Sequence, residues 1–144
     1  MTEADSRVVY ESVVTQVGGQ VEAFLGHGLL IFFGDTSPAE LHDISVLHRA
    51  TVNDDGPQPG DTMRLGDTDL EILAVGPVVR DNLINLGHLD LKADGRTEVK
   101  LPGDACVRVG DLPLLRVGDP ITITRPDNAT GTLSGASSGP QEDR

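Results

Sequence analysis

The chain has 144 residues, enough for one domain with a hydrophobic core, and 11 basic against 23 acidic residues give a net charge of −12. That balance argues against sequence-independent nucleic-acid binding and against adhesion to anionic membranes, since both set basic side chains against phosphates. It suits solubility and an encounter steered toward a basic partner surface.

Residues 1–6 are acidic and polar, without the charged-then-apolar pattern of a secretion signal, and read as a frayed end. Residues 7–125 read as the folded domain. Valine-rich alternation from Val8 to Val17, ending at Gly18-Gly19, opens a series of short β-rich segments bounded by Gly, Asp and Pro. Leu29–Phe33 follows as a continuous apolar run between Gly28 and Gly34. It suits a buried strand and is far too short to span a bilayer. A soluble, cytoplasmic protein with no direct membrane insertion is therefore expected.

Ser37-Pro38-Ala39-Glu40 carries the marks of a helix start: serine as cap, proline at the first position, glutamate three residues after the cap. One or two turns should deliver the chain into the strand Ile44–Asn53. Period two puts Ile44, Val46, His48, Ala50 and Val52 on one face, with Ser45, Leu47, Arg49, Thr51 and Asn53 on the other. Thr62–Leu65 leads through Gly66-Asp67 into Leu70–Val75, a hairpin. Val79–Leu86 reads as a second helix with Val79, Leu83 and Leu86 on one face and Gly87 as stop. His88–Lys92, Ala105–Val109 and Ile121–Thr124 complete the strands. From Pro126 to residue 144 the chain is Asp, Asn, Gly, Ser, Pro and Glu with scattered apolar residues, an acidic tail expected to stay disordered. The fold class that results is all-β: a small, mostly antiparallel β-barrel (or sandwich) with two short helices.

Little in this chain can do chemistry. The single cysteine, Cys106, lies in Ala105-Cys106-Val107 and excludes an internal disulfide or a multi-thiolate zinc site, leaving a small buried hydrophobe. No histidine pair has metal-ligand spacing, and neither a glycine-rich phosphate loop nor a serine-nucleophile elbow occurs, so no metal and no cofactor are expected. Aromatic residues are too few to stack bases or sugar rings. Of four histidines, His27 sits in a glycine-flanked turn and His42 at the end of the first helix, where the helix dipole suits it. His88 opens a strand directly after a helix stop, on its polar side. His48 is different, because it interrupts an apolar strand face. A core histidine bonded to backbone would explain that position, and so would a nucleophile, since a neutral imidazole can carry a labile group covalently.

Several segments, in order, resemble one family. They are Pro38-Ala39-Glu40-Leu41, Ser45-Val46-Leu47-His48, Pro59-Gly60-Asp61, Leu65-Gly66, Ala74-Val75-Gly76, Asn82-Leu83, Leu86-Gly87-His88 and Leu101-Pro102-Gly103. Between about Val9 and Val107 the chain is thereby similar to the glucitol/sorbitol-specific IIA component of the bacterial sugar phosphotransferase system. The resemblance implies a phosphocarrier that accepts a phosphoryl group from the histidine carrier phosphoprotein HPr and hands it to the IIB part of a IIB/IIC sugar permease. His48 matches the family's phosphorylated position, and His88 matches a second family histidine, for which we expect a supporting role beside the site. Ala93 stands where an aromatic residue is usual.

Phosphoryl transfer between histidines asks for in-line approach and charge stabilisation, with little acid–base work, so a sparse site is consistent with it. The reading expects the His48 ring to reach the exterior with a free nitrogen, on an apolar docking patch formed by Val46, Ala50 and Val52. Arg49 would then point to the opposite face. Two alternatives remain: a non-catalytic β-barrel protein-binding or regulatory module on the same fold, and a small-molecule or metal-binding barrel using His48 with His88.

Overall fold

The computed structural model describes residues 6–126. The acidic tail and nearly all of the N-terminal segment lie outside the described residues. Eight strands, β1 (Ser6–Val17), β2 (Leu29–Gly34), β3 (Val46–Asn53), β4 (Thr62–Leu65), β5 (Thr68–Val75), β6 (Leu89–Lys92), β7 (Asp104–Val107) and β8 (Pro120–Pro126), close into a barrel in the order β1-β3-β2-β6-β7-β5-β4-β8. Of the neighbouring pairs, β2 with β3 and β6 with β7 are parallel and the rest antiparallel. The expected mostly antiparallel barrel is thus found, and closure removes the free strand edges that an open sheet would leave.

Alternation drives the packing. Along β1, Tyr10, Ser12 and Val14 face inward, and Leu30 and Phe32 do so on β2, Leu89 and Leu91 on β6, Ile121 and Ile123 on β8. All of these but Ser12 join Met63, Leu65, Ile72, Ala105 and Val107 in one continuous core. Cys106 is fully buried, as expected, and burial pushes its thiol up to about 11, so it stays an unreactive apolar group at neutral pH.

Two helical features depart from the sequence reading. The segment after Ser37 is a 3-10 helix, Ala39–Ile44, with Pro38 in the cap position and no side-chain cap; Ser37 instead offers its carbonyl to the His42 Nε2–H at 2.9 Å. Pro38 itself takes the cap position in an extended conformation (φ −58°, ψ 145°), so the helix starts one residue later than a Ser37 cap would set it, and the turn tightens to 3-10. A further helix, α1 (Val21–Leu25), had no periodic signal because five residues make little more than one turn. The second expected helix is present over the expected span as α2 (Val79–Leu86), stopped by Gly87 at φ 67°.

Candidate functional site

The site forms where the inner face of β3 meets β1, β2 and the C-terminal end of α2. In the β1–β3 register Val14 lies opposite His48, so the inward-facing Ser12 is a diagonal neighbour on the adjacent strand. In the β2–β3 register Gly34 lies beside His48, which makes inward-facing Phe32 a diagonal neighbour on the other side. The His48 ring meets Phe32 edge-on, with centroids 5.8 Å apart and planes at 86°, and Tyr10 at 6.2 Å and 65°.

Both ring nitrogens are engaged. Nε2–H donates to the Gly87 carbonyl oxygen at 2.7 Å, so in the neutral ring Nδ1 carries the lone pair and accepts from the Ser12 hydroxyl at 2.9 Å. His48 is 2 % exposed and Ser12 1 %. Burial lowers the imidazole pKa below its ordinary 6.5, because a charged ring would lose its water. The Gly87 carbonyl and the Asp35 carboxylate act the other way and do not offset that loss. The ring is therefore neutral at physiological pH.

Two glycines set the carbonyl over the ring. A Cβ on Gly87 would stand 2.5 Å from the Gly34 amide nitrogen, and one on Gly34 would stand 3.0 Å from the Leu86 carbonyl oxygen. Only with both side chains absent does the end of α2 press onto the end of β2. The positive φ of Gly87 then turns its carbonyl toward His48.

Above the ring lies a cleft of about 430 Å³, walled by the β2-to-3-10 turn (Gly34–Pro38), the outer half of β3 and the last residues of α2. His48, Tyr10 and Gly87 line it and Ser12 does not, so the cleft approaches the imidazole from its Nε2 end. Arg49 is the only Lys or Arg among the lining residues. Its side chain is 70 % exposed and pairs with Asp35 at 2.7 Å, while the Asp35 amide donates to the His48 carbonyl at 3.0 Å.

Three expectations change at this point. The His48 ring is not on an exterior patch with a free nitrogen; it is a buried group at the floor of a cleft. Val46 belongs to the core, Ala50 is exposed on the cleft wall and Val52 is half-buried, so no patch joins the three around the ring. Arg49 does alternate outward, yet it stands at the lip of the same cleft, because the β2-to-3-10 turn carries Asp35 across to meet it. His88 follows Gly87 in the chain, but its ring stacks on Phe33 at 4.1 Å and 15°, donates Nδ1–H to the Phe32 carbonyl at 3.2 Å, and does not line the cleft. No hydrogen bond joins the two imidazoles among the described residues. Ser12, Tyr10, Phe32 and Gly87 complete the His48 environment. The sequence signal for Ser12 was a small polar side chain at an inward position of the β1 alternation. No group of three or more His, Cys, Asp or Glu that could hold a metal ion occurs among the described residues.

The structure thus defines a class of small closed eight-stranded β-barrels with a single neutral imidazole at the floor of a cleft. Within it the particular family is clear. The family model for the PTS system glucitol/sorbitol-specific IIA component matches residues 9–122, and the chain belongs to that family. It is 33 % identical over 106 residues to the PTS system glucitol/sorbitol-specific EIIA components of Shigella flexneri and Escherichia coli (strain K12), covering 74 % of this chain and 85 % of each relative. The crystal structure of a PTS system IIA component from Enterococcus faecalis V583 superimposes with a TM-score of 0.67 at 23 % identity, covering 81 % of this chain and 98 % of the other, and shows the same fold. No helix among the described residues is long and apolar enough to cross a membrane.

Proposed function

We propose that this chain is a cytoplasmic phosphocarrier that accepts a phosphoryl group from HPr on His48 and passes it to the IIB component of a glucitol/sorbitol-type permease. The observation that carries the reading is a neutral imidazole at the floor of a cleft that opens on its Nε2 end. Nε2 is the attacking atom. For that, the Gly87 carbonyl withdraws and the ring carries its proton on Nδ1. The Nε2 lone pair then forms the new phosphorus–nitrogen bond as the bond to the donor nitrogen breaks, and the donor nitrogen keeps the electron pair.

Charge compensation has to come from the lip of the cleft, because the end of α2 presents carbonyl oxygens, which repel an anion. Arg49 supplies it by turning from Asp35 to the phosphoryl oxygens with its planar fork. Docking of the partner closes the cleft and keeps water from the labile bond. His88 has a supporting role through packing: it holds Phe33, a cleft wall, and bonds the backbone of Phe32.

A non-catalytic binding module is the second reading, favoured by the burial of His48 and the engagement of both its nitrogens. Incubation with HPr, its upstream phosphotransferase and labelled phosphoenolpyruvate separates the two. The expected result is label on the wild type and none on a folded His48→Gln variant. Label that survives His48→Gln and disappears in His88→Gln moves the acceptor. An unlabelled wild type leaves the binding module.

A further inference from the structure

We propose that Ser12 is a positioning residue for phosphoryl transfer, its hydroxyl changing from donor to acceptor at His48 Nδ1 each time the ring takes up or releases the phosphoryl group. The inference rests on the reading of His48 as the acceptor and adds what that reading lacks, a partner for the proton.

In the resting protein the Gly87 carbonyl can only accept, so the Nε2 it faces bears hydrogen and Ser12 must donate to Nδ1. That tautomer is the wrong one for attack from the cleft, since its lone pair points at Ser12 and away from the opening. Attack by Nε2 requires Nδ1–H, and a buried N–H without an acceptor is costly. Among the described residues the only group within hydrogen-bond reach of Nδ1 is Ser12 Oγ, on a residue 1 % exposed. A hydroxyl can meet both demands by rotating, because it holds one donor and two lone pairs. A carbonyl would only accept and a methyl would do neither.

The proton balance closes with water alone. Water in the cleft takes the Nε2 proton, Ser12 passes its hydroxyl proton to Nδ1, and water returns a proton to the Ser12 oxygen, so the ring changes tautomer with no net gain or loss. Attack then leaves a ring phosphorylated on Nε2 and protonated on Nδ1, a cation that Ser12 stabilises as acceptor. The same protonated ring is the better leaving group when the phosphoryl moves onward, so the hydroxyl serves both halves of the relay. Losing Nδ1–H after transfer returns Ser12 to its donor role and slows onward release.

The test uses the full chain with ¹⁵N-labelled histidine. In the resting wild type, the His48 Nδ1 signal is expected to be that of an unprotonated nitrogen and Nε2 that of a protonated one. The reverse pattern would overturn the switch without any variant. Ser12→Ala is expected to slow labelling by phospho-HPr about tenfold, from an N–H left without its acceptor. It should also lower the pH at which Nδ1 of the phosphorylated ring titrates, a shift that loosened packing alone does not give. Ser12→Thr, which keeps the hydroxyl, should restore both. A folded Ser12→Ala protein labelled at the wild-type rate with an unchanged titration overturns the role of Ser12 and leaves His48 as carrier. Absence of label on the wild type overturns both.

Discussion

Two polar clusters, a part-buried one beyond the end of β3 and a buried one on β3 itself, satisfy their groups in opposite ways. At the far end Arg125 bonds Asp61 at 2.9 and 3.1 Å, Asp55 at 2.8 Å and the Gly56 carbonyl at 2.9 Å, with Arg80 also on Asp55 at 2.8 Å. Every charge there has a fixed partner. Pairing with Arg125 first of all holds the Asp55 carboxyl below its ordinary value, and the Asp61 bond raises the Arg125 guanidinium still further above its own. At the cleft end the buried group is neutral, held by one carbonyl and one hydroxyl. An ion cluster of the first kind is a rivet, because no member can leave without stranding another charge. A neutral imidazole held by one carbonyl and one rotatable hydroxyl strands no charge when a partner changes, which suits the group-transfer role proposed for His48.

The largest expected effect tests the rivet. Arg125→Ala leaves Asp61, whose side chain is 2 % exposed, without its cation and should cost about 3–5 kcal/mol in urea unfolding. A loss below about 1 kcal/mol would make the two clusters equivalent and end the contrast. Next comes the glycine contact between α2 and β2. Gly87→Ala puts a Cβ against the Gly34 amide at a positive φ and should cost about 1–3 kcal/mol in thermal or urea unfolding, with a changed ¹⁵N shift at His48 Nε2 as its carbonyl partner moves. An unchanged Nε2 shift would show that the carbonyl is held by something other than the glycine contact.

Arg49→Gln touches only the lip. An exposed ion pair contributes little, so stability should hold within about 0.5 kcal/mol while transfer from phospho-HPr slows about tenfold. Labelling by phosphoramidate, which needs no docking, should slow likewise; a defect confined to phospho-HPr would make Arg49 a docking residue. The smallest effect is in pH. The folded pKa of His48 lies below the unfolded 6.5, so the unfolded chain binds the extra proton between those two values. The stability contribution is complete above pH 6.5 and lost as pH falls toward the folded pKa, with a slope no steeper than about 1.4 kcal/mol per pH unit. His48→Gln should flatten that stretch. Asp55, whose folded pKa lies below its ordinary 3.8, gives up its contribution only below that pH. The two clusters therefore titrate in separate windows, and a single common acid transition would deny the distinction.

Much of this architecture was legible because strand alternation and turn chemistry are local. All eight strands were found within a few residues of their ends, and the Val79–Leu86 helix with its glycine stop was read from a 3.6-residue period and one residue type. Legibility failed where a few residues give no period, as in Val21–Leu25, or where proline displaced a cap, as at Pro38. At the site, one interruption of an apolar face was enough to single out His48. The depth of the ring was not readable, because alternation gives the face of a strand and not what covers it. Nor did the sequence separate His88 from the site, since neighbours in the chain, Gly87 and His88, send a carbonyl and a ring in different directions.

By itself the sequence determined a small, acid-rich, mostly antiparallel β-barrel or sandwich, its chemical poverty and the one imidazole worth watching, since each follows from composition or from patterns within a dozen residues. Tertiary structure alone decided that this imidazole is buried, which nitrogen faces the cleft, and that Ser12, Gly34 and Gly87 hold it there. Those facts depend on contacts between residues 36 and 39 positions apart, and such contacts exist only once the barrel has closed.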